Sequence, residues 1–197
     1  MADEVTARDS GVKFTPHPEG QFVAVCRDVI NLGSRVEQFQ NKPPRIVEKC
    51  ALVFQTGEQN ADTSELHIVS AEFTVSMNEK AGLRLLLEAW RGKTYTEEQA
   101  EAGVPVHKLV GQAALISVEH KRSASGRTYA KIKTISQVPK GLSAPSLDGY
   151  TRADFWTKRK EEYAAEVVKF RSVHAKLDPE SFGDFPEPLD DDDDLPF

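Results

Sequence analysis

Residues 108–138 read KLVGQAALISVEHKRSASGRTYAKIKTISQV. Two runs rich in Val, Ile, Leu and Thr flank a short polar link, which predicts strands over Lys108–His120 and Thr128–Val138. The link, Lys121-Arg122-Ser123-Ala124-Ser125-Gly126-Arg127, is basic, and its length predicts a hairpin. In the second strand Tyr129, Lys131 and Lys133 fall at i, i+2 and i+4 and share one face, with Ala130, Ile132 and Thr134 on the other.

Upstream, Asn78–Arg91 predicts a helix. Leu83, Leu86, Leu87 and Trp90 recur at helical spacing, Asn78 is a candidate N-cap, and Gly92 can end the element. Thr96–Ala102 predicts a second, short helix, with Thr96 and Gln99 spaced as a capping box. Before these stand three strand-like segments. The first is Gln21–Ile30, QFVAVCRDVI, which follows a Pro-Glu-Gly turn and ends near Gly33. A polar loop, Ser34–Arg45, leads to Ile46–Thr56, where Cys50, Leu52 and Phe54 alternate with Lys49, Ala51 and Val53. In the third segment, Glu65–Met77, Val69, Ala71, Phe73 and Val75 alternate with polar residues. Three strands, a helix and two strands in this order fit a mainly β fold, the OB-fold, a five-stranded Greek-key barrel with a helix between strands three and four. A mixed α+β sheet of five strands would give the same order.

Downstream, residues 140–149 carry Gly, Ser and Pro in a linker pattern. Arg152–Lys176 predicts a helix with a partial apolar stripe of Trp156, Tyr163, Val167 and Phe170, able to pack on the barrel or on another subunit. Residues 177–189 are rich in Pro, Asp, Glu and Phe, the composition of a disordered segment. The division expected is a flexible N-terminus over 1–13, an OB-type domain over 14–139, a linker and C-terminal helix over 140–176, and a disordered acidic tail over 177–197.

The formal charge of -6 conceals an uneven distribution. Nine of the 31 acids lie from Leu177 on, where there is no Lys or Arg, so the first 176 residues hold 25 basic against 22 acidic side chains. A mildly basic body carries an acidic tail, and any nucleic-acid site in the body has to come from local clustering. Cys26 and Cys50 each sit in an apolar run with no second Cys or His at metal-ligand spacing, which predicts buried thiols in a reducing compartment and no zinc site. The N-terminus is polar and unlike a signal peptide, and no stretch is long and apolar enough to span a bilayer. The expectation is an intracellular protein without a membrane partner.

The last nine residues read LDDDDDLPF. Asp190, Asp191, Asp192, Asp193 and Asp194 precede Leu195, Pro196 and Phe197. An apolar plug with an adjacent carboxylate run is a peptide that a partner can grasp, the ring entering a pocket while the acids meet a basic surface. This ending resembles the acidic tip of single-stranded DNA-binding proteins (SSBs) of bacteria and their phages. The opening strand typical of bacterial SSBs is missing, since Asp28-Val29-Ile30-Asn31-Leu32-Gly33 is only superficially similar, so the likeness is to the phage-encoded type. The resemblance implies a protein that protects single strands in DNA replication, recombination or repair. It also implies that the tip, residues 190–197, recruits partner proteins and competes with DNA, and that the compartment is the cytoplasm of a bacterium or a phage-infected cell. The oligomeric state is left open.

A single-strand site needs cations for phosphates and flat side chains for base stacking. OB-folds place such sites on the loops between strands one and two and between strands four and five. Those loops hold Arg35, Phe39, Lys42 and Arg45 on one side and Lys121, Arg122 and Arg127 on the other, beside Tyr129, Lys131 and Lys133. Lys49 and Val53 are expected to extend this surface along strand two. Phe39, in a polar loop, is a better stacking candidate than Phe54 or Phe73, and Trp90 on the apolar helix face is assigned to the core. Lysines at alternate strand positions are also ordinary solvation of an exposed face. The five histidines are scattered in the sequence, and there is no nucleophile elbow, Walker motif or dinucleotide motif, so neither catalysis nor a cofactor or metal is expected. The rival readings are an adaptor that uses the tail without binding nucleic acid, and a nuclease with an SSB-like tail.

Overall fold

The computed structural model describes residues 15–39, 42–146 and 149–174. The readings for residues 1–13 and 177–197, the acidic tip included, lie outside the described residues. Five strands form one antiparallel sheet: β1 (Gly20–Glu37), β2 (Arg45–Gln59), β3 (Leu66–Thr74), β4 (Ala113–Arg122) and β5 (Thr128–Ser136). Their order is β3-β2-β1-β4-β5. Every pairing is antiparallel. β1 is the shared strand: Gly20–Val25 pairs with β4, and Ala24–Glu37 pairs with β2. β3 and β5, the two edges, come into contact without pairing as neighbours, so the sheet is an OB-like barrel whose seam is not closed.

β1 turns this sheet. Its register against β2 slips at Arg27 and again at Leu32. Each extra residue is a bulge that bends the strand and resets which side chains face inward. Ala24 and Cys26 point into the main core before the first bulge, whereas Ile30 and Leu32 lie in a second cluster beyond it. The strand also continues to Glu37, so the expected loop from Ser34 begins four residues too early.

The main core joins Cys50, Leu52 and Phe54 of β2 to Val69, Ile116, Val118, Ile132 and Ile135. Helix α1 (Gly82–Arg91) covers it with Leu83, Leu87 and Trp90. The Trp90 indole N–H donates to Ala113 O at 2.8 Å and its ring lies 5.4 Å from that of Phe54, which bears out its assignment to the core. The N-cap is Ala81 rather than Asn78, whose side-chain oxygen accepts from Lys80 N one turn earlier. Gly92 closes the helix at φ +67°, and a Cβ there would come within 2.8 Å of the Gln137 side chain. Helix α2 (Glu97–Glu101) has the Thr96–Gln99 capping box in full. Val106–Leu109 is a 3-10 turn, and β4 starts only at Ala113, because Gly111 at φ +84° breaks the extended run expected from Lys108.

Helix α3 (Phe155–His174) packs on the opposite face of β1 and β2. Trp156 and Tyr163 meet Ile30, Leu32, Ala51 and Val53 in the second cluster. β2 is therefore buried on both faces from Cys50 to Thr56. The approach to α3 is pinned by Asp28, which accepts two hydrogen bonds from the Arg152 guanidinium at 2.7 Å and one from Tyr150 OH at 2.9 Å. Burial alone would raise the Asp28 carboxyl, but these three donors hold it below the usual carboxylate range. Arg152 precedes the helix rather than belonging to it. Burial pushes the Cys26 thiol up to about 12 and the Cys50 thiol up to about 11, so both are inert packing groups. Among the described residues no helix is long and apolar enough to cross a membrane.

Candidate nucleic-acid interface

The β4–β5 hairpin concentrates the expected cations. Its turn is tied by Gly126 N donating to Ser123 O at 2.9 Å, Ser123 N to Arg127 O at 2.9 Å, and Arg127 N to Ser123 Oγ at 3.1 Å. Gly126, at φ +79°, supplies the left-handed residue that lets the chain reverse. Lys121, Arg122, Arg127, Tyr129, Lys131 and Lys133 are all exposed around this turn. The register sets Tyr129 opposite Lys121 and Lys131 opposite Glu119. Glu119 takes two of the five cations: Lys121 Nζ is 3.1 Å and Lys133 Nζ 3.7 Å from its carboxylate. The hydrogen bond from Lys121, helped by the nearby lysine charges, keeps Glu119 ionised to lower pH than an isolated carboxylate. The expected alternation holds for Tyr129 to Ile132. A register slip between Ser117 and Val118 then places Thr134 outward and Ile135 in the core.

The loop between β1 and β2 offers less. Phe39 and Arg45 line a shallow cleft of about 230 Å³ with Arg35, Glu37 and Thr74, and Lys42 is exposed. Arg35 belongs to β1 and turns to α3: its guanidinium lies 4.9 Å over the Tyr163 ring, its Nη1 donates to Tyr163 OH at 3.3 Å, and its Nε lies 3.8 Å from Glu166. Lys49 is 8% exposed, paired with Glu37 at 2.5 Å and donating to Thr74 Oγ1 at 2.8 Å, and Val53 is 1% exposed. Neither extends an open surface along β2, because Val53 lies under α3 and Lys49 is held between Glu37 and Thr74. The Tyr163 OH and Arg159 both bond Glu72, which fastens the helix across to β3. The two loops stand at opposite ends of β1, the hairpin beside Gly20 and the other loop beyond Glu37.

Three of the histidines, dispersed in sequence, converge near the hairpin. His17 and His67 ring centroids are 5.1 Å apart, and His120 Nε2 donates to His17 O at 2.8 Å. His17 Nδ1 faces Pro18 O at 2.8 Å, so it carries the proton, and Nε2 accepts from Thr56 Oγ1 at 2.8 Å. Burial holds both His17 and His67 below the ordinary imidazole range, and so neutral. The shared end of β1, β3 and β4 brings them together, a long-range relation that sequence spacing does not express. Among the described residues no group of three or more His, Cys, Asp or Glu is arranged to hold a metal ion. No protein-family model and no curated protein sequence matches this chain.

Proposed function

We propose that this protein binds single-stranded DNA without strong sequence preference, and recruits other proteins of DNA replication, recombination or repair through Asp190–Phe197. The observation that carries the reading is the hairpin: five exposed Lys and Arg side chains and an exposed tyrosine on one turn of an OB-like sheet. Cations there would exchange their counterions for phosphates, and the Tyr129 ring offers a face to any base, which gives affinity without sequence readout. The acidic tip supports the second half of the reading by its residue pattern alone. On this reading the protein works in the cytoplasm of a bacterium or a phage-infected cell and is not an enzyme.

The test is a salt titration of the full chain with oligo-dT, set against duplex DNA and RNA of equal length. Binding should weaken steeply with salt, each phosphate contact adding about 0.7 to the slope for a single strand. Preference for the duplex, or a flat salt response, would overturn the proposal. Failure to bind any nucleic acid at low salt, with partner capture through the tip intact, would favour an adaptor. Loss of labelled strand on adding a divalent metal would favour a nuclease.

A further inference from the structure

Beside the hairpin, the unclosed seam between β3 and β5 opens into a cleft of about 280 Å³. We infer that this cleft receives a single nucleobase of the bound strand, stacked on Tyr129 and bounded by Ile68 of β3. The inference rests on the single-strand reading above and locates the base within it.

Four observations converge on it. Tyr129 and Ile68 are 42% and 46% exposed, two large side chains presented outward on facing edge strands and lining the same cleft. A ring and a branched aliphatic chain left in water gain by covering a flat, apolar face. Second, Asn60, Ser70, His17 and His67 also line the cleft and supply groups able to hydrogen-bond a base. Polar and apolar residues line the cleft in about equal number, and the volume falls just below the usual ligand-site range of about 300–1,000 Å³, enough for one base and too little for a dinucleotide cofactor. Third, the charge around the cleft complements a strand. Lys121 stands opposite Tyr129 in the register and Lys131 follows it on the same face of β5. The spacing from Tyr129 to Lys131 is about 6.7 Å along a strand, which lets a base sit on the ring while the neighbouring phosphate meets the ammonium group. Fourth, the competing face is closed: the outer surface of β1 and β2 is filled by Trp156 and Tyr163 of α3, and Glu72 of β3 is bonded to that helix. The seam at Ile68 and Ser70 is the part of β3 that α3 leaves open beside the hairpin.

The experiment compares oligo-dT with an abasic oligomer of equal length, which keeps the phosphates and lacks the bases. Wild-type protein should bind oligo-dT more tightly than the abasic strand. Tyr129→Ala should lower oligo-dT affinity about fivefold or more, on the scale of losing one base–aromatic stack, while leaving abasic affinity and the salt slope unchanged. Tyr129→Phe should keep the wild-type preference, because the ring and not the hydroxyl does the stacking. Ile68→Trp, an exposed position whose substitution fills the cleft from the other side, should reduce the preference in the same way as Tyr129→Ala. If Tyr129→Ala weakens both ligands equally, or neither, the base is not in this cleft although the protein binds strands. If wild-type protein binds neither ligand, the single-strand reading falls and this inference with it.

Discussion

Glu119 lies inside the basic hairpin and holds Lys121 and Lys133 at 3.1 and 3.7 Å. Glu119→Gln should therefore strengthen binding of single strands, and by an amount that depends on salt. In the wild type the carboxylate acts as a built-in counterion, so a phosphate reaching either lysine displaces it and releases no ion to the solvent. With Gln at this position the lysines gather ions from solution and release them on binding, which adds about 0.7 to the salt slope for each freed contact. Over a fourfold rise in salt, from about 50 to about 200 mM, one added contact corresponds to about a 2.6-fold change in affinity and two to about sevenfold. The advantage of the variant should shrink by that factor across the range. Mild acid should not reproduce the effect in the wild type, because the Lys121 hydrogen bond keeps Glu119 ionised below the ordinary carboxylate range. Fluorescence anisotropy of labelled oligo-dT at four or five salt concentrations measures both slopes. Parallel lines of equal height for variant and wild type would refute the reasoning, and would mean that phosphates do not reach Lys121 or Lys133.

Two further outcomes concern the scaffold. Trp156→Ala should cost about 3–5 kcal/mol, the range for deleting a buried aromatic ring, because the indole fills the cluster of Ile30, Leu32, Ala51 and Val53; urea unfolding followed by circular dichroism should show a lower midpoint, and an unchanged midpoint would mean that α3 contributes nothing to the barrel. His17 and His67 are held below their ordinary pKa by burial, so the unfolded chain takes up protons first as pH falls, and the stability that both confer above about pH 6.5 should decline as pH drops toward their folded values. Urea midpoints between about pH 5 and 8 should show that decline in the wild type and a shallower one in the His17→Gln, His67→Gln double variant, whereas identical profiles would disprove the linkage.

Most of the strands were legible because one face of each meets the core and the other does not, which writes a period of two into β3, β4 and the first half of β5. The hairpin and the Thr96–Gln99 capping box were legible because their chemistry is local. What failed has a common cause. A bulge shifts the phase of an alternation, and nothing in the side chains marks the extra residue: hence strict alternation puts Thr134 inward although it is exposed, and Ile30 and Leu32 do not share the core of Ala24 and Cys26. The run Cys50-Ala51-Leu52-Val53-Phe54 did carry a readable sign. A strand without a polar face is a strand buried on both sides, and it needs a second layer. The apolar stripe of Trp156, Tyr163 and Val167 is that layer, and the two features together leave no open surface at Val53.

The histidine cluster and the seam cleft were not legible, since they depend on which strand ends meet. His17, His67 and Tyr129 come from three distant segments, and only the order β3-β2-β1-β4-β5 brings the two sheet edges face to face. That same geometry makes the charge of the chain a single problem. Five cations cluster at one hairpin, one internal carboxylate already occupies two of them, and five more carboxylates stand in Asp190–Asp194 on the same chain. A tethered polyanion competes for whatever cations are open. Removing Glu119 would therefore open the lysines to the tail as well as to DNA, and the gain from Glu119→Gln should be larger in protein lacking Leu189–Phe197 than in the full chain. Equal gains in the two backgrounds would show that the tail does not reach this hairpin. Deleting Phe197 alone leaves all five carboxylates in place, so it should leave the gain at its full-chain value while abolishing partner capture, which separates the charge of the tip from its apolar anchor.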